Sequence, residues 1–114
     1  YIADKTFNEF IYLNKKFFLK PKVRIFYQRE AFYSNIFKGF RITFDKNIKA
    51  SLSNLASLHT FNNNHAVLDS GFEILELKCN YEIPSPVINL FKKYNLQQIA
   101  YSKYVESINI CYKF

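Results

Sequence analysis

The sequence predicts an α+β domain in which an antiparallel β-sheet is flanked by helices. Three segments, residues 22–32, 39–46 and 72–79, are predicted to be strands, and polar and apolar side chains alternate along the second and third. Residues 3–18 instead carry apolar side chains at helical spacing. Hydrophobic residues make up 49% of the chain and glycines number only two, so a folded core is expected rather than disorder.

The N-terminal segment is expected to be an amphipathic helix that ends before Pro21. Phe7, Phe10 and Ile11 recur at helical spacing, and Phe17 and Phe18 continue the pattern.

The next two segments, 22–32 and 39–46, are expected to form an antiparallel hairpin with an irregular loop before Gly39. In the second strand the aromatic and aliphatic residues share one face, and the opposite face carries Arg41, Thr43 and Asp45. The third strand, 72–79, places Glu76 and Lys78 on one side and its apolar residues on the other. We therefore expect the aromatic side chains to lie opposite Arg41.

The remaining segments are a polar loop and two helices. Residues 51–71 show little periodicity and predict a long loop, with His59 and His65 at the surface. Ser85 is the expected N-cap of the next helix, with Pro86 at its first position. Ser102 is a further N-cap candidate, although the tail that follows it could equally be a strand.

Size, hydropathy and cysteine content indicate the number of domains and the cellular location. With 114 residues the chain has room for one domain. It has no apolar run of transmembrane length and no signal-peptide pattern. Cys79 and Cys111 lack metal-ligand spacing and are expected to be reduced, buried thiols. These features favour the cytoplasm.

Positive charge is concentrated in the first half of the chain. Residues 1–57 hold eleven Lys/Arg and four Asp/Glu, whereas residues 58–114 hold five of each, so the first half carries the whole net charge of +7. Such a distribution favours an anionic partner, such as nucleic acid, phosphate or an acidic membrane surface. A basic, solvated face is the simpler alternative.

Four charged residues would meet if the three strands are neighbours: Arg29, Arg41, Glu76 and Lys78. Glu76 and Lys78 would then be about 7 Å apart on one face. Arginines and a lysine suit a phosphate polyanion, and a carboxylate suits the divalent cation that accompanies it. The alternative is a solvent-facing sheet surface with an ordinary ion pair.

Four motifs in series favour the phosphate site. "PKVRIFYQREAF", "GFRITFD", "ILELK" and "YSKY" begin at residues 21, 39, 74 and 101. In this order they resemble the VTC domain, the polyphosphate polymerase domain of the vacuolar transporter chaperone family and its bacterial relatives. From Pro21 onward the resemblance covers nearly the whole chain, and nothing before Pro21 contributes to it.

That family belongs to the triphosphate tunnel metalloenzymes, whose antiparallel strands form a barrel with a charged lumen. The resemblance implies that Arg29 and Arg41 grip phosphates and that Ser102 and Lys103 contact phosphate near one tunnel end. It also implies that Glu76 binds Mn²⁺ or Mg²⁺. Lys78 is added to the phosphate-binding residues because alternation places it on the same face of its strand as Glu76. Arg24 lies on the opposite face of its strand from Arg29 and is therefore not included.

The implied reaction transfers the γ-phosphoryl group of ATP to a polyphosphate chain, with no nucleophilic side chain. The alternatives are a triphosphatase of the same fold and a non-catalytic module that binds polyphosphate or nucleic acid. Family domains are longer, so the chain is expected to be the C-terminal half of one and, alone, to be inactive or at most a weak polyphosphate binder. A missing N-terminal half or a second copy would then complete the barrel. The full protein would act in the cytoplasm or at the cytoplasmic face of a membrane.

Overall fold

The protein is described here by a computed structural model covering residues 4–53 and 64–112. Its elements, in chain order, are α1 (Lys5–Phe17), β1 (Val23–Tyr33), β2 (Arg41–Leu52), β3 (His65–Ala66), β4 (Ile74–Lys78), α2 (Ser85–Lys93) and α3 (Lys103–Tyr112). All strand pairs are antiparallel. The predicted α+β class with an antiparallel sheet is therefore confirmed.

Strand β2 is the centre of the sheet. β1 pairs with it along its whole length, from Val23 opposite Leu52 to Tyr33 opposite Arg41. Because β1 occupies one edge of β2, the two other strands share the second edge. There β3 pairs with residues 49–50 and β4 pairs with residues 41–45. Within the described residues the sheet is open, so it can form only part of a barrel wall.

The connection between β1 and β2 is a tight, irregular loop, as predicted. The hydroxyl oxygen of Ser34 accepts hydrogen bonds from the backbone N–H groups of Ile36, at 3.1 Å, and Phe37, at 2.9 Å. The backbone N–H of Ser34 donates to the carbonyl of Phe40 at 3.1 Å. Gly39 adopts a φ of 77°, a left-handed conformation that glycine tolerates best. This loop sets where β2 begins and hence where Arg41 lies.

Strand β2 is longer than the alternation of residues 39–46 predicts, since it continues to Leu52. The pairing with β1 is irregular between Phe26 and Gln28, and Asn47 of β2 has a φ of 53°. This left-handed residue forms a β-bulge, which shifts the alternation of side chains by one residue. The second half of the strand therefore does not continue the alternation seen at residues 39–46.

The predicted loop at 51–71 was wrong at two places, because residues 51–52 belong to β2 and residues 65–66 form β3. His65 lies in β3 and is exposed, as predicted. The prediction for His59 falls outside the described residues.

The first helix confirms its prediction. α1 begins after Asp4, whose carboxylate accepts a hydrogen bond from the backbone N–H of Thr6 at 3.1 Å, and ends at Phe18, with a φ of 50°.

For α2 the predicted cap was wrong. Ser85 is the first helical residue and Pro84 is the N-cap, without a side-chain hydrogen bond. The carbonyl of Pro84 accepts from the N–H groups of Val87, at 2.9 Å, and Ile88, at 3.2 Å. Proline in the first turn still starts the helix because its φ is already helical.

The C-terminal segment is a helix rather than a strand. The hydroxyl of Ser102 accepts a hydrogen bond from the N–H of Val105 at 3.3 Å, and its carbonyl accepts from Glu106 at 3.0 Å. Ser102 is therefore the N-cap of α3, as predicted.

The core lies where α3 packs against β1 and β2. Ile48 and Ala50 of β2 and Ser107 of α3 are fully buried. Cys79 and Cys111 are free thiols, and both are half-buried rather than buried. Burial raises the pKa of the Cys111 thiol. Among the described residues, no helix is long and apolar enough to cross a bilayer.

Replacing Gly39 by alanine should destabilise the fold more than the same change at Gly71. Both glycines have a positive φ, of 77° and 94°, which costs an L-residue about 1–2 kcal/mol. A Cβ at Gly39 would also collide with the side chain of Asn80, whereas a Cβ at Gly71 meets open space. Thermal unfolding of the intact protein measures the difference. Equal losses of stability, or no relief when Asn80→Ala is added to Gly39→Ala, would show that the crowding is unimportant.

Candidate functional site

Strand register places most of the charged strand residues on one side of the sheet, here called the charged face. Arg29 of β1 lies opposite Asp45 of β2. Across the other edge, Thr43 lies opposite Glu76 and Arg41 lies opposite Lys78. Directly opposed residues of an antiparallel pair point to the same face. The charged face therefore consists of Arg29, Arg41, Thr43, Asp45, Glu76 and Lys78.

Asp45 is the most buried charged residue of this face, with a fully buried side chain. Its Oδ1 accepts from Nε of Arg29 at 2.6 Å, and its Oδ2 accepts from Nη2 of the same guanidinium at 2.7 Å. Oδ2 also lies 2.6 Å from Nζ of Lys103, the first residue of α3. One carboxylate thus binds two cations, and both carboxylate oxygens are engaged.

Tyr27 lies against both of these cations. The centroid of its ring is 5.1 Å from Cζ of Arg29 and 5.3 Å from Nζ of Lys103. Both distances are within the range of cation–π attraction. Arg29 and Lys103 are therefore held by the same carboxylate and the same aromatic ring.

Glu76 is bound more loosely than Asp45. Its Oε2 lies 3.5 Å from Nη2 of Arg29, and its Oε1 lies 3.2 Å from Nζ of Lys78. The Glu76 side chain is 35% exposed. Of the two carboxylates on the charged face, Glu76 is thus the one that a ligand from solvent can reach.

Arg41 marks the other end of the charged face. Its Cζ lies 5.3 Å from the centroid of the Tyr33 ring. Its Nε is buried and has no hydrogen-bond partner, and the same is true of the hydroxyl of Thr43. Buried donors without a partner are uncommon in folded proteins, so this end of the face has hydrogen-bonding capacity that the protein itself does not use.

Ionisation at the centre of the site is fixed by these contacts. The hydrogen bond that Arg29 donates to Asp45 raises the pKa of Arg29 above its already high value. In turn, the hydrogen bond from Arg29, reinforced by Lys103, lowers the pKa of Asp45 below its ordinary value of 3.8. Both groups therefore stay charged at neutral pH.

The cations form a row along the sheet. Lys103 and Arg29 meet at Asp45, and Arg41 with Lys78 lies four residues farther along β2. At about 3.3–3.4 Å per residue, the row is about 13 Å long. Such a row matches an extended polyanion better than a single small anion.

A cleft borders the row at the start of α3. Its volume is about 200 Å³, and Glu76 and Lys103 are among its lining residues. Tyr101 also lines it, with a buried hydroxyl that has no hydrogen-bond partner. Burial raises the pKa of this phenol. The charged face is thus open to solvent beside Glu76.

The structure brings five of the six predicted site residues onto one surface: Arg29, Arg41, Lys78, Lys103 and Glu76. The sixth, Ser102, is adjacent in sequence to Lys103, and its hydroxyl caps α3.

Sequence reasoning missed Asp45 and the tyrosines. Alternation already put Asp45 on the face of Arg41, and an acidic residue within a basic strand was the available signal. The expectation that the aromatics lie opposite Arg41 holds for Phe32 and Phe44 but was wrong for Tyr27 and Tyr33, which lie beside the arginines. Position along β1 assigns both tyrosines to the face of Arg29.

Comparison with known proteins gives one family. A family model described as "VTC domain" matches residues 3–112, so the match includes α1, which the motifs from Pro21 onward had left out. No curated protein and no solved structure matches the chain.

The stability contributed by Asp45 should depend on pH. A lowered pKa means that this contribution is complete above about pH 4 and is lost as the pH falls through the lowered pKa. We expect Asp45→Asn to reduce the free energy of unfolding by about 3 kcal/mol at neutral pH, because the buried Asp45 side chain loses its ion pairs with two partly exposed cations. The difference from wild type should shrink below about pH 4. Urea unfolding over a pH series measures it.

Glu30→Gln is the matched control for this change. Glu30 lies in β1 and pairs with Lys46 at 2.7 Å, but its side chain is 57% exposed. Its removal should cost about 0–1 kcal/mol. A pH-independent difference between Asp45→Asn and wild type would contradict the ion-pair explanation.

Proposed function

The chain belongs to the VTC domain family, and on that premise we propose that its charged face binds the phosphates of ATP and of inorganic polyphosphate. The proposed reaction transfers the γ-phosphoryl group of ATP to the end of the polyphosphate chain and releases ADP. The observation that carries this proposal is the row of cations along one face of the sheet: Arg29, Arg41, Lys78 and Lys103.

The chemistry of the row suits a chain of phosphates. Guanidinium groups donate paired hydrogen bonds to phosphate oxygens, and lysines add compact point charges. At the end of the row farthest from Lys103, Arg41 lies opposite Lys78, whose side chain is 64% exposed. A linear polyanion could therefore be bound at both ends of the row at once.

Glu76 is the proposed ligand of Mn²⁺ or Mg²⁺. Such ions are commonly held by one or two carboxylates together with substrate phosphates. Within the described ranges no cluster of three or more acidic, histidine or cysteine side chains could hold a metal alone. Glu76, partly exposed and loosely paired, fits the single-carboxylate arrangement. When bound, the ion would neutralise charge on the phosphate oxygens.

The protein's part in the transfer is to position and neutralise its substrates. A terminal phosphate oxygen of the polymer attacks the γ-phosphorus of ATP, and ADP leaves, so no side-chain nucleophile is needed. The proposed roles of Arg29, Arg41, Lys78 and Lys103 are to hold the two polyanions in line and to offset their repulsion. Ser102 fixes the start of α3 and hence the position of Lys103.

A closed phosphate-binding tunnel of the kind that the family resemblance implies would need additional strands beside this sheet. The described sheet is open, and its opposite face leaves Phe32 56% exposed. We propose that an additional segment of the protein, or a second copy of the chain, pairs with the sheet and closes the tunnel. The free Cys79 and Cys111 support a reducing, cytoplasmic location.

Product analysis of the intact protein with ATP and Mn²⁺ tests the reaction. We expect acid-insoluble polyphosphate together with ADP. Free phosphate without polymer would instead indicate a triphosphatase of the same fold. Tighter binding of single-stranded RNA than of polyphosphate at equal salt would indicate a nucleic-acid-binding module and overturn the proposal.

The same assay with Arg41→Ala tests the row of cations. Loss of a charge-assisted hydrogen bond costs about 1.5–3 kcal/mol, so polymer synthesis and polyphosphate binding should fall at least tenfold with the fold intact. Lys49→Ala is the matched control, because Lys49 lies in the same strand, opposite Phe26 on the other face. Equal losses in both variants would show that only total charge matters.

A further inference from the structure

We propose that Asp45 is a positioning residue, which holds Arg29 and Lys103 as one oriented pair for the phosphates of the ligand. This inference rests on the proposed function and adds a residue to it. Asp45 is fully buried and would not itself contact a phosphate. Its effect on binding would pass entirely through the two cations that it orients.

The geometry of Arg29 leaves one side of its guanidinium for a ligand. Two of the five N–H donors of an arginine, one on Nε and one on Nη2, are used by Asp45. The donors that remain belong to Nη1 and to the second hydrogen of Nη2. Nη2 also lies 3.5 Å from Glu76, on the open part of the charged face. Asp45 thereby turns the unused donors of Arg29 towards the side from which a ligand enters.

Lys103 is oriented by the same carboxylate. An ammonium group has three donors on a flexible stem, and the 2.6 Å contact with Asp45 fixes one of them. Without Asp45, two positive charges would lie against the single ring of Tyr27, at 5.1 and 5.3 Å from its centroid. Their repulsion would drive the two side chains apart. Asp45 therefore allows Arg29 and Lys103 to act on neighbouring phosphates.

Charge alone and positioning predict opposite effects of removing Asp45 on the affinity for a polyanion. Asp45 is a negative charge within an anion-binding face, so removing it should strengthen the binding of a polyanion if charge alone mattered. If Asp45 acts by positioning, its removal should weaken binding although the site gains a positive charge. The direction of the change thus separates the two explanations.

The test is calorimetric titration of tripolyphosphate into the intact protein and into Asp45→Asn, at fixed salt. Asparagine keeps the shape of the side chain but has one oxygen instead of two, so it cannot accept from both cations in the same way. We expect a loss of affinity of about tenfold. Glu30→Gln, which removes one negative charge from the other face of β1, should bind as wild type does or slightly more tightly. Affinity equal to or above wild type in Asp45→Asn would overturn the positioning role. Failure of the wild-type protein to bind tripolyphosphate would instead overturn the proposed function.

A second measurement applies if Asp45→Asn does not fold. In the wild-type protein, the Nε–H of Arg29 should exchange slowly with solvent in NMR spectra, both before and after tripolyphosphate is added. Its resonance is assigned by its loss in Arg29→Lys. Only the Nη resonances should shift strongly on binding. Rapid exchange of the Nε–H in the free protein, or release of this proton on binding, would overturn the proposal.

Discussion

The ion-paired carboxylate of Asp45 is the interaction on which the charged face depends. A buried carboxylate is tolerated only when it is paired and hydrogen-bonded, and Asp45 obtains both from Arg29 and Lys103. These partners come from different elements, one from β1 and one from the first residue of α3. The same contacts therefore hold α3 against the sheet and orient two of the cations that face solvent. Structure and proposed function share this one interaction.

Alternation along the strands determines what each face can do. On one face Arg29, Arg41 and Lys78 stand beside Glu76. On the other, Phe32 and Phe44 meet edge to face with their centroids 6.0 Å apart. Because β2 pairs on both edges, the positions of its charges are fixed relative to both neighbouring strands. An elongated surface that carries a row of cations results.

Sequence patterns predicted the features that are determined by residues close together in the chain. The period-two alternation around Arg41 identified the face correctly, and the Ser102 cap placed the start of α3. The bulge at Asn47 could not be predicted in the same way, because a single left-handed residue reverses the alternation and is recognised only from backbone geometry. For this reason the second half of β2 was missed.

The role of Asp45 could not be predicted from the sequence, although the face of the sheet on which it lies could. Alternation assigns a residue to a side of the sheet but does not give its burial or its partners. The contact with Lys103 joins positions 45 and 103, which are distant in the chain, and it exists only because α3 packs on β1 and β2. Similarly, Tyr27 and Tyr33 had the parity of Arg29, but their contacts with the cations depend on side-chain geometry.

A crystal structure of the intact protein with tripolyphosphate would show directly whether phosphates bind along the row of cations. The phosphates are expected along the row from Lys103 and Arg29 to Arg41 and Lys78, with the contacts between Asp45 and its two cations preserved. Phosphates bound instead on the opposite face of the sheet, or at the basic residues between Lys15 and Arg24, would contradict this account.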